Sequence, residues 1–302
     1  MRLLFVCVAV LVATPQADAK PKKPKPAPAE PADQPSASGA GAPEDPAPKK
    51  HKHKGWPSPA AGPTKSGDPE LIFTFDDGPN PRTTPDVLDA LAKHHVHATF
   101  FMIGEMAASK NKKIPDIVAR MEHDGHVIGS HTMTHPDLCR TKLGDDKANA
   151  EIDDGIAAIE KATHVLLPWF RTPYGVRCDR VDSMLAARHL HHFHWDLDPQ
   201  EWKHNDPEKA YAYVTKQLAK MSGRNVLLMH DIKTATVQAL PRILDWLEAE
   251  NARRKIAHER PIRIIAGYEL AAEQLPPGLV DALSEAAADV GELPAALASA
   301  LP

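Results

Sequence analysis

Seven short apolar, β-prone runs alternate with helical patterns between residues 70 and 268, and that alternation leaves few folds open. The runs lie near 71–75, 97–103, 126–130, 169–171, 190–197, 225–229 and 262–266. Between them, one helix opens after Thr84 with Pro85 in its first turn, and another ends at Gly125 after Ile117, Val118 and Met121. Further helical patterns cover 146–162, 180–188, 207–221 and 237–253. Strand–helix repeats of this number predict an α/β fold whose parallel sheet is closed, or nearly closed, into a barrel.

The flanks have a different character. Arg2, the apolar run Leu3 to Ala13 and the small residues Ala17-Asp18-Ala19 predict a cleavable signal peptide over 1–19, cut after Ala19. The run is too short to remain as a membrane anchor, so the mature chain is expected to be secreted or periplasmic with no membrane span. Residues 20–68 hold 12 of the 29 prolines and almost nothing apolar to bury, which predicts a disordered Pro/Lys/Ala-rich linker. Residues 276–302 form an Ala-rich tail or an appended helix. A net charge of −4 argues against nucleic acid as the partner. After loss of Cys7 with the leader, Cys139 and Cys178 remain. A disulfide between them is permitted in an oxidising compartment, with two free buried thiols as the alternative.

Polar residues fall at the ends of the predicted strands. The first run, LIFTF, stops at two adjacent acids, Asp76 and Asp77. Neighbouring carboxylates oppose each other's ionisation and cost stability unless a cation or a shared proton compensates. His131 ends the third run, with His135 four residues on, and Arg171 ends the fourth. Asp198, Glu201 and Trp202 follow the fifth, and His230 ends the sixth. The carboxyl ends of parallel strands are where such folds gather their active sites. Two histidines with one carboxylate form a facial set that leaves positions open for water and substrate. The helical His-Glu-x-x-His signature is absent, which disfavours a metallopeptidase.

Four segments now carry a resemblance: Thr74-Phe75-Asp76-Asp77-Gly78, His131-Thr132-Met133-Thr134-His135, Arg171-Thr172-Pro173-Tyr174 and Leu228-Met229-His230. In this order they resemble four of the five motifs of the polysaccharide deacetylase (NodB-homology, carbohydrate esterase) family. The resemblance implies a distorted (β/α) barrel of about seven parallel strands over 69–275, and metal-dependent removal of acetyl groups from a glycan. It makes Asp76 the base, His230 the acid, and Asp77, His131 and His135 the ligands of one divalent metal. Zinc comes first, with Co2+, Ni2+ or Mn2+ as alternatives. Arg171 would steady Asp76, and the backbone N–H of Tyr174 would help hold the oxyanion. Pro173, Trp202 and Leu228 would line the sugar or acetyl pocket. The fifth motif departs from the family's Asp-x-x-Asp-Trp: Asp198-Pro199-Gln200-Glu201-Trp202 carries Glu before the Trp. Either Glu201 or Asp198 is then the acid that tunes the histidine. The implied substrate is an acetylated glycan polymer, peptidoglycan first, a chitin-type polymer or exopolysaccharide second and acetyl-xylan third. A catalytically inactive glycan-binding module of the same fold is the rival from another class.

Overall fold

The computed structural model describes residues 67–165, 167 and 169–266. The expected leader, the linker up to its last two residues, the Ala-rich stretch and the end of the catalytic domain lie outside the described residues. In chain order the elements are β1 (Glu70–Asp76), α1 (Thr84–Lys93), β2 (Thr99–Met102), α2 (Gly104–Ala107), α3 (Ile114–His123), β3 (Val127–Ser130) and α4 (Asp145–Thr163). There follow β4 (Trp169–Phe170), α5 (Asp179–Ala186), β5 (His191–His192), α6 (Glu201–His204), α7 (Pro207–Leu218), β6 (Arg224–His230), α8 (Thr234–Ile256) and β7 (Arg263–Ile264).

All pairings are parallel, in the order β5-β4-β3-β2-β1-β6. β1 is an inner strand that pairs with β2, β6 and β7, and all seven of its residues are buried. A strand covered on both faces must be apolar on both, which is why its sequence shows no polar alternation until its end. Leu71, Phe73 and Phe75 point outward into a core shared with Val87, Leu88 and Leu91 of α1 and with Leu240, Ile243 and Leu247 of α8. Ile72 points the other way, into a smaller cluster with Phe101, Trp169, Phe193, Val226 and Ile265. That cluster fills the inside of the curled sheet. By the two-residue period, Thr74 and Asp76 share this inner face, as do Leu228 and His230 on β6. β7 pairs with Glu70 and Leu71, below the stretch of β1 that pairs with β2.

All seven expected strands are present. The fifth, expected over 190–197, keeps regular strand geometry only at His191–His192. The reason is that the chain changes neighbours along this stretch. Phe193 N–H bonds Phe170 O on the β4 side at 2.8 Å, whereas Leu197 N–H bonds Val226 O and Leu228 N–H bonds Leu197 O on the β6 side at 3.0 and 2.9 Å. One segment thus bonds to β4 at its start and to β6 at its end, which brings the curl near closure, and it cannot keep a single ladder while doing so. The short helices α2 and α6 were not anticipated, and α8 begins at Thr234 and carries Pro241 within it.

The foot of the barrel is tied by charge. Glu70 is buried and accepts from Arg224 at 2.6 Å and Arg263 at 2.9 Å, joining β1 to the strands on either side. Replacing Glu70 by Ala leaves the half-buried Arg224 without this partner. We expect urea denaturation to show a loss of about 3 kcal/mol or more, against a loss below about 1 kcal/mol if the pair holds nothing.

Candidate metal and catalytic site

At the carboxyl end of β1, Asp76 faces inward and is buried. The next residue, Asp77, adopts φ 76°. This left-handed turn ends the strand's alternation, and both carboxylates reach one imidazole: Asp76 Oδ2 lies 3.7 Å and Asp77 Oδ1 3.6 Å from His131 Nε2. Asp76 is met by Arg171, whose side chain is wholly buried inside the barrel. Arg171 Nη1 donates to Asp76 Oδ1 at 2.7 Å and to Thr74 Oγ1 at 2.8 Å, and Nε donates to Phe193 O at 2.8 Å. The guanidinium also lies 4.1 Å from the centre of the Phe101 ring. A buried cation costs stability unless paired and hydrogen-bonded, and here its donors find a carboxylate, a hydroxyl and carbonyls.

Asp77, His131 and His135 converge. Their ligand atoms all lie within 4.8 Å of one another. Asp77 Oδ1 is 3.6 Å from His131 Nε2 and 3.4 Å from His135 Nε2, and it is buried without a hydrogen-bond partner among the described residues. His131 Nδ1 lies 2.7 Å from Arg171 O. A carbonyl can only accept, so Nδ1 carries the hydrogen and Nε2 presents its lone pair toward Asp77. Burial first, then His135, lowers the His131 pKa to about 3, so the ring is neutral as a ligand must be. An orphaned carboxylate oxygen and an imidazole lone pair aimed at one point fit a divalent cation, and the two-nitrogen, one-oxygen donor set suits zinc.

The loop carrying His135 is held by α4. Thr132 and His135 both have positive φ, at 69° and 65°. His135 N–H bonds Thr132 Oγ1 at 2.9 Å, while Glu151 accepts from Thr134 N–H at 2.8 Å and Thr134 Oγ1 at 2.7 Å. A Cβ on Gly155 would come within 2.6 Å of the Thr132 carbonyl carbon, so only glycine lets the loop lie this close to the helix. Sequence reading missed both α4 residues. The spacing of Glu151 and Gly155 puts them on one helix face, yet nothing in it points to a loop some twenty residues earlier.

His230 faces inward at the end of β6, directly opposite Asp76 across the strand pair. Glu201 Oε1 accepts from both His230 N–H and Nδ1, each at 2.8 Å, and the Glu201 side chain is buried. Burial alone would lower the His230 pKa. The hydrogen bond and charge of Glu201, followed by Asp77 and Asp76, outweigh it and raise the value to about 9. A cation on Asp77 would cancel that residue's share, while the Glu201 share stays. Between the two acids offered by the sequence, Glu201 is the one bonded to His230. Asp198 instead accepts the Gln200 N–H at 2.8 Å and shapes the turn into α6, with its own pKa raised by burial.

The remaining expected residues sit on separate segments around this end of the barrel. Tyr174 adopts φ 61° in a tight turn after β4 and stacks edge-on against His135 at 4.7 Å, with most of its ring exposed. Pro173 beside it is buried, Leu228 is buried on the inner face of β6, and Trp202 on α6 is 45 % exposed. Cys139 and Cys178 form a disulfide, Cα to Cα 6.0 Å, joining the segments that follow the His135 and Tyr174 loops. Asp231, which sequence reading passed over, is fully buried next to His230, and burial pushes its carboxyl up to about 7 against the Thr84 hydrogen bond.

Comparison with known proteins agrees with this geometry. The profile of the family described as polysaccharide deacetylase matches residues 64–192. The chain is 38% identical over 196 residues to a chitooligosaccharide deacetylase of Sinorhizobium fredii, spanning 60% of this chain and 87% of that protein. It is 31% identical over 188 residues to a peptidoglycan-N-acetylglucosamine deacetylase of Bacillus cereus, spanning 61% of this chain and 65% of that protein. Among solved structures, peptidoglycan deacetylase PdaC from Bacillus subtilis overlays with a TM-score of 0.58 at 28% identity, covering 75% of this chain and 98% of that one. The curled parallel sheet and these relatives define a hydrolase of the deacetylase class. The chain belongs to the polysaccharide deacetylase family.

The pairing of His230 with Glu201 has a measurable sign. Glu201→Gln removes the charge that raises the His230 pKa, so an NMR titration of His230 should move from about 9 to well below it. Because the folded-state value lies above the unfolded ~6.5, the pair's stabilisation is complete below about pH 6.5 and is lost as pH rises through about 9. The stability gap between wild type and variant should therefore close at high pH. A gap that widens there would contradict the assignment.

Proposed function

We propose that this chain is an exported, divalent-metal-dependent deacetylase that hydrolyses the N-acetyl groups of a glycan polymer, with peptidoglycan as its substrate class. The observation that carries the reading is the placement of Asp76 and His230 as cross-strand partners at the same end of the sheet as the Asp77, His131 and His135 group. Acetyl transfer to water from an amide needs both a base and an acid, because an amine anion is too poor a leaving group. Export is supported by the leader-like residues 1–19, and a cell-wall substrate by the basic, proline-rich stretch that would follow it. Relatives acting on peptidoglycan and on chitooligosaccharides support an N-acetylhexosamine polymer.

The roles divide as follows. Asp77, His131 and His135 would hold Zn2+, or failing it Co2+, Ni2+ or Mn2+, which would supply Lewis acidity toward a water near neutral pH. Asp76 Oδ2, on the side away from Arg171, accepts the proton of the water that attacks the acetyl carbonyl. Arg171 holds the other oxygen of that carboxylate, so the base cannot swing away. The turn at Tyr174 offers its backbone N–H to the developing oxyanion. His230, its Nδ1 fixed on Glu201, gives the Nε2 proton to the departing nitrogen as the C–N bond breaks. Acetate and a free amine on the sugar result. Pro173, Leu228 and the exposed Trp202 line the approach, Trp202 as an apolar face for a sugar ring.

Acetate release from peptidoglycan, chitin oligomers and acetyl-xylan, with and without a chelator, tests this reading. We expect release from the N-acetylated polymers, abolished by chelator and restored by Zn2+ or Co2+. Release confined to acetyl-xylan, or unaffected by chelator, would contradict it. The proton roles separate in variants. Asp76→Asn should abolish turnover on the order of a hundredfold or more while metal content is kept. His230→Ala should cost far more on an acetamide than on an activated acetyl ester, whose leaving group needs no proton. Equal losses on the two substrates would remove His230 from the role of acid.

A further inference from the structure

β1 and β6 end in register, with Asp76 opposite His230, so Asp77 and Asp231 begin two neighbouring loops. Asp231 is fully buried and takes no part in the chemistry above. Its carboxyl group lies flat against the backbone of Gly78: a Cβ there would come within 2.1 Å of Oδ2 and 2.5 Å of Oδ1. On its other side Oδ2 accepts the hydroxyl of Thr84, at the start of α1. That hydroxyl oxygen accepts the Asn80 N–H at 2.7 Å, and Thr84 N–H returns to Asn80 O at 3.1 Å. The turn from Asp77 to Asn80 is therefore gripped at two points, directly at Gly78 and through Thr84 at Asn80. Its first residue is held at φ 76°, with its N–H on Phe101 O at 3.2 Å.

We propose that Asp231 is a positioning residue for the metal site, its carboxyl group fixing the Asp77–Asn80 turn so that Asp77 Oδ1 faces His131 and His135. The proposal rests on the reading of those three residues as ligands. What acts is the shape of the group: a planar head small enough to lie on a glycine, with an oxygen for the Thr84 hydroxyl. Asparagine keeps both properties. Alanine removes the support under Gly78 and leaves the Thr84 hydroxyl without its acceptor, freeing a turn whose left-handed residue is strained to begin with.

The test uses the full chain, stripped of metal and titrated with Co2+ and with Zn2+ against a chromophoric chelator, with thermal melts of the metal-free protein alongside. Asp231→Ala should weaken affinity on the order of tenfold and alter the Co2+ absorption band, while Asp231→Asn stays within about threefold with the wild-type band. Thr84→Val should weaken affinity in the same direction. Wild-type affinity and band in Asp231→Ala overturn the proposal, and so does an Asp231→Asn variant as weak as Asp231→Ala. If the melts show that Asp231→Ala does not fold, Thr84→Val decides, and unchanged affinity there overturns the proposal. A His131→Ala control separates the two readings. Metal retained in that control overturns the ligand assignment itself, whereas metal lost there but unaffected in the Asp231 and Thr84 variants overturns only the role of Asp231.

Discussion

A fully buried guanidinium is the constraint on which the rest of the site depends. Arg171 crosses the inside of the barrel, and every contact it makes is also a contact that builds the mouth. Its side chain holds the carboxylate of Asp76 and the hydroxyl of Thr74, which in turn donates to Leu227 O of β6 at 2.8 Å. Its backbone carbonyl sets the tautomer of His131. Its Nε ties down Phe193, where the chain begins to cross from β4 toward β6. Burying a charge this deeply is tolerable only because the pairing and hydrogen bonding are so complete, and the same completeness leaves Asp76 a single orientation.

The charges at the mouth each have a partner of opposite or complementary kind. Two adjacent acids oppose each other's ionisation, and both lie near His131 Nε2, but Asp76 is also paired with the Arg171 guanidinium. Asp76 Oδ1 pairs with Arg171, and Asp77 groups with His131 and His135 as a candidate cation site. His230 belongs to Glu201, a residue one methylene longer than the family pattern offers. The extra length is absorbed because Glu201 stands on α6 and reaches both the backbone N–H and Nδ1 of His230 with one oxygen. The second oxygen, Oε2, is buried with no hydrogen-bond partner among the described residues.

The strands and most of the site were legible because both signals are local. An apolar run that ends abruptly in an acid, as at Phe75-Asp76-Asp77, announces a strand end and a functional group at once. Parallel topology then puts all such ends on one face, so Asp76, His131, Arg171 and His230 could be gathered without knowing any distance. What escaped notice depends on contacts far apart in sequence. The crossing of residues 193–197 from β4 to β6, the grip of Glu151 and Gly155 on the His135 loop, and the carboxyl of Asp231 beneath Gly78 leave no periodic trace. The choice between Glu201 and Asp198 was likewise undecidable from spacing, because it turns on which carboxylate the short helix α6 aims inward.

The central claim is that Asp77, His131 and His135 close around one divalent ion. X-ray absorption at the zinc edge of the zinc-loaded protein tests it most directly, since it reads the donor atoms themselves. The account predicts nitrogen and oxygen scatterers at about 2.0–2.2 Å, no sulfur, and outer-shell scattering that fits two imidazoles. A sulfur distance of about 2.3 Å, or a spectrum needing fewer than two imidazoles, would contradict it.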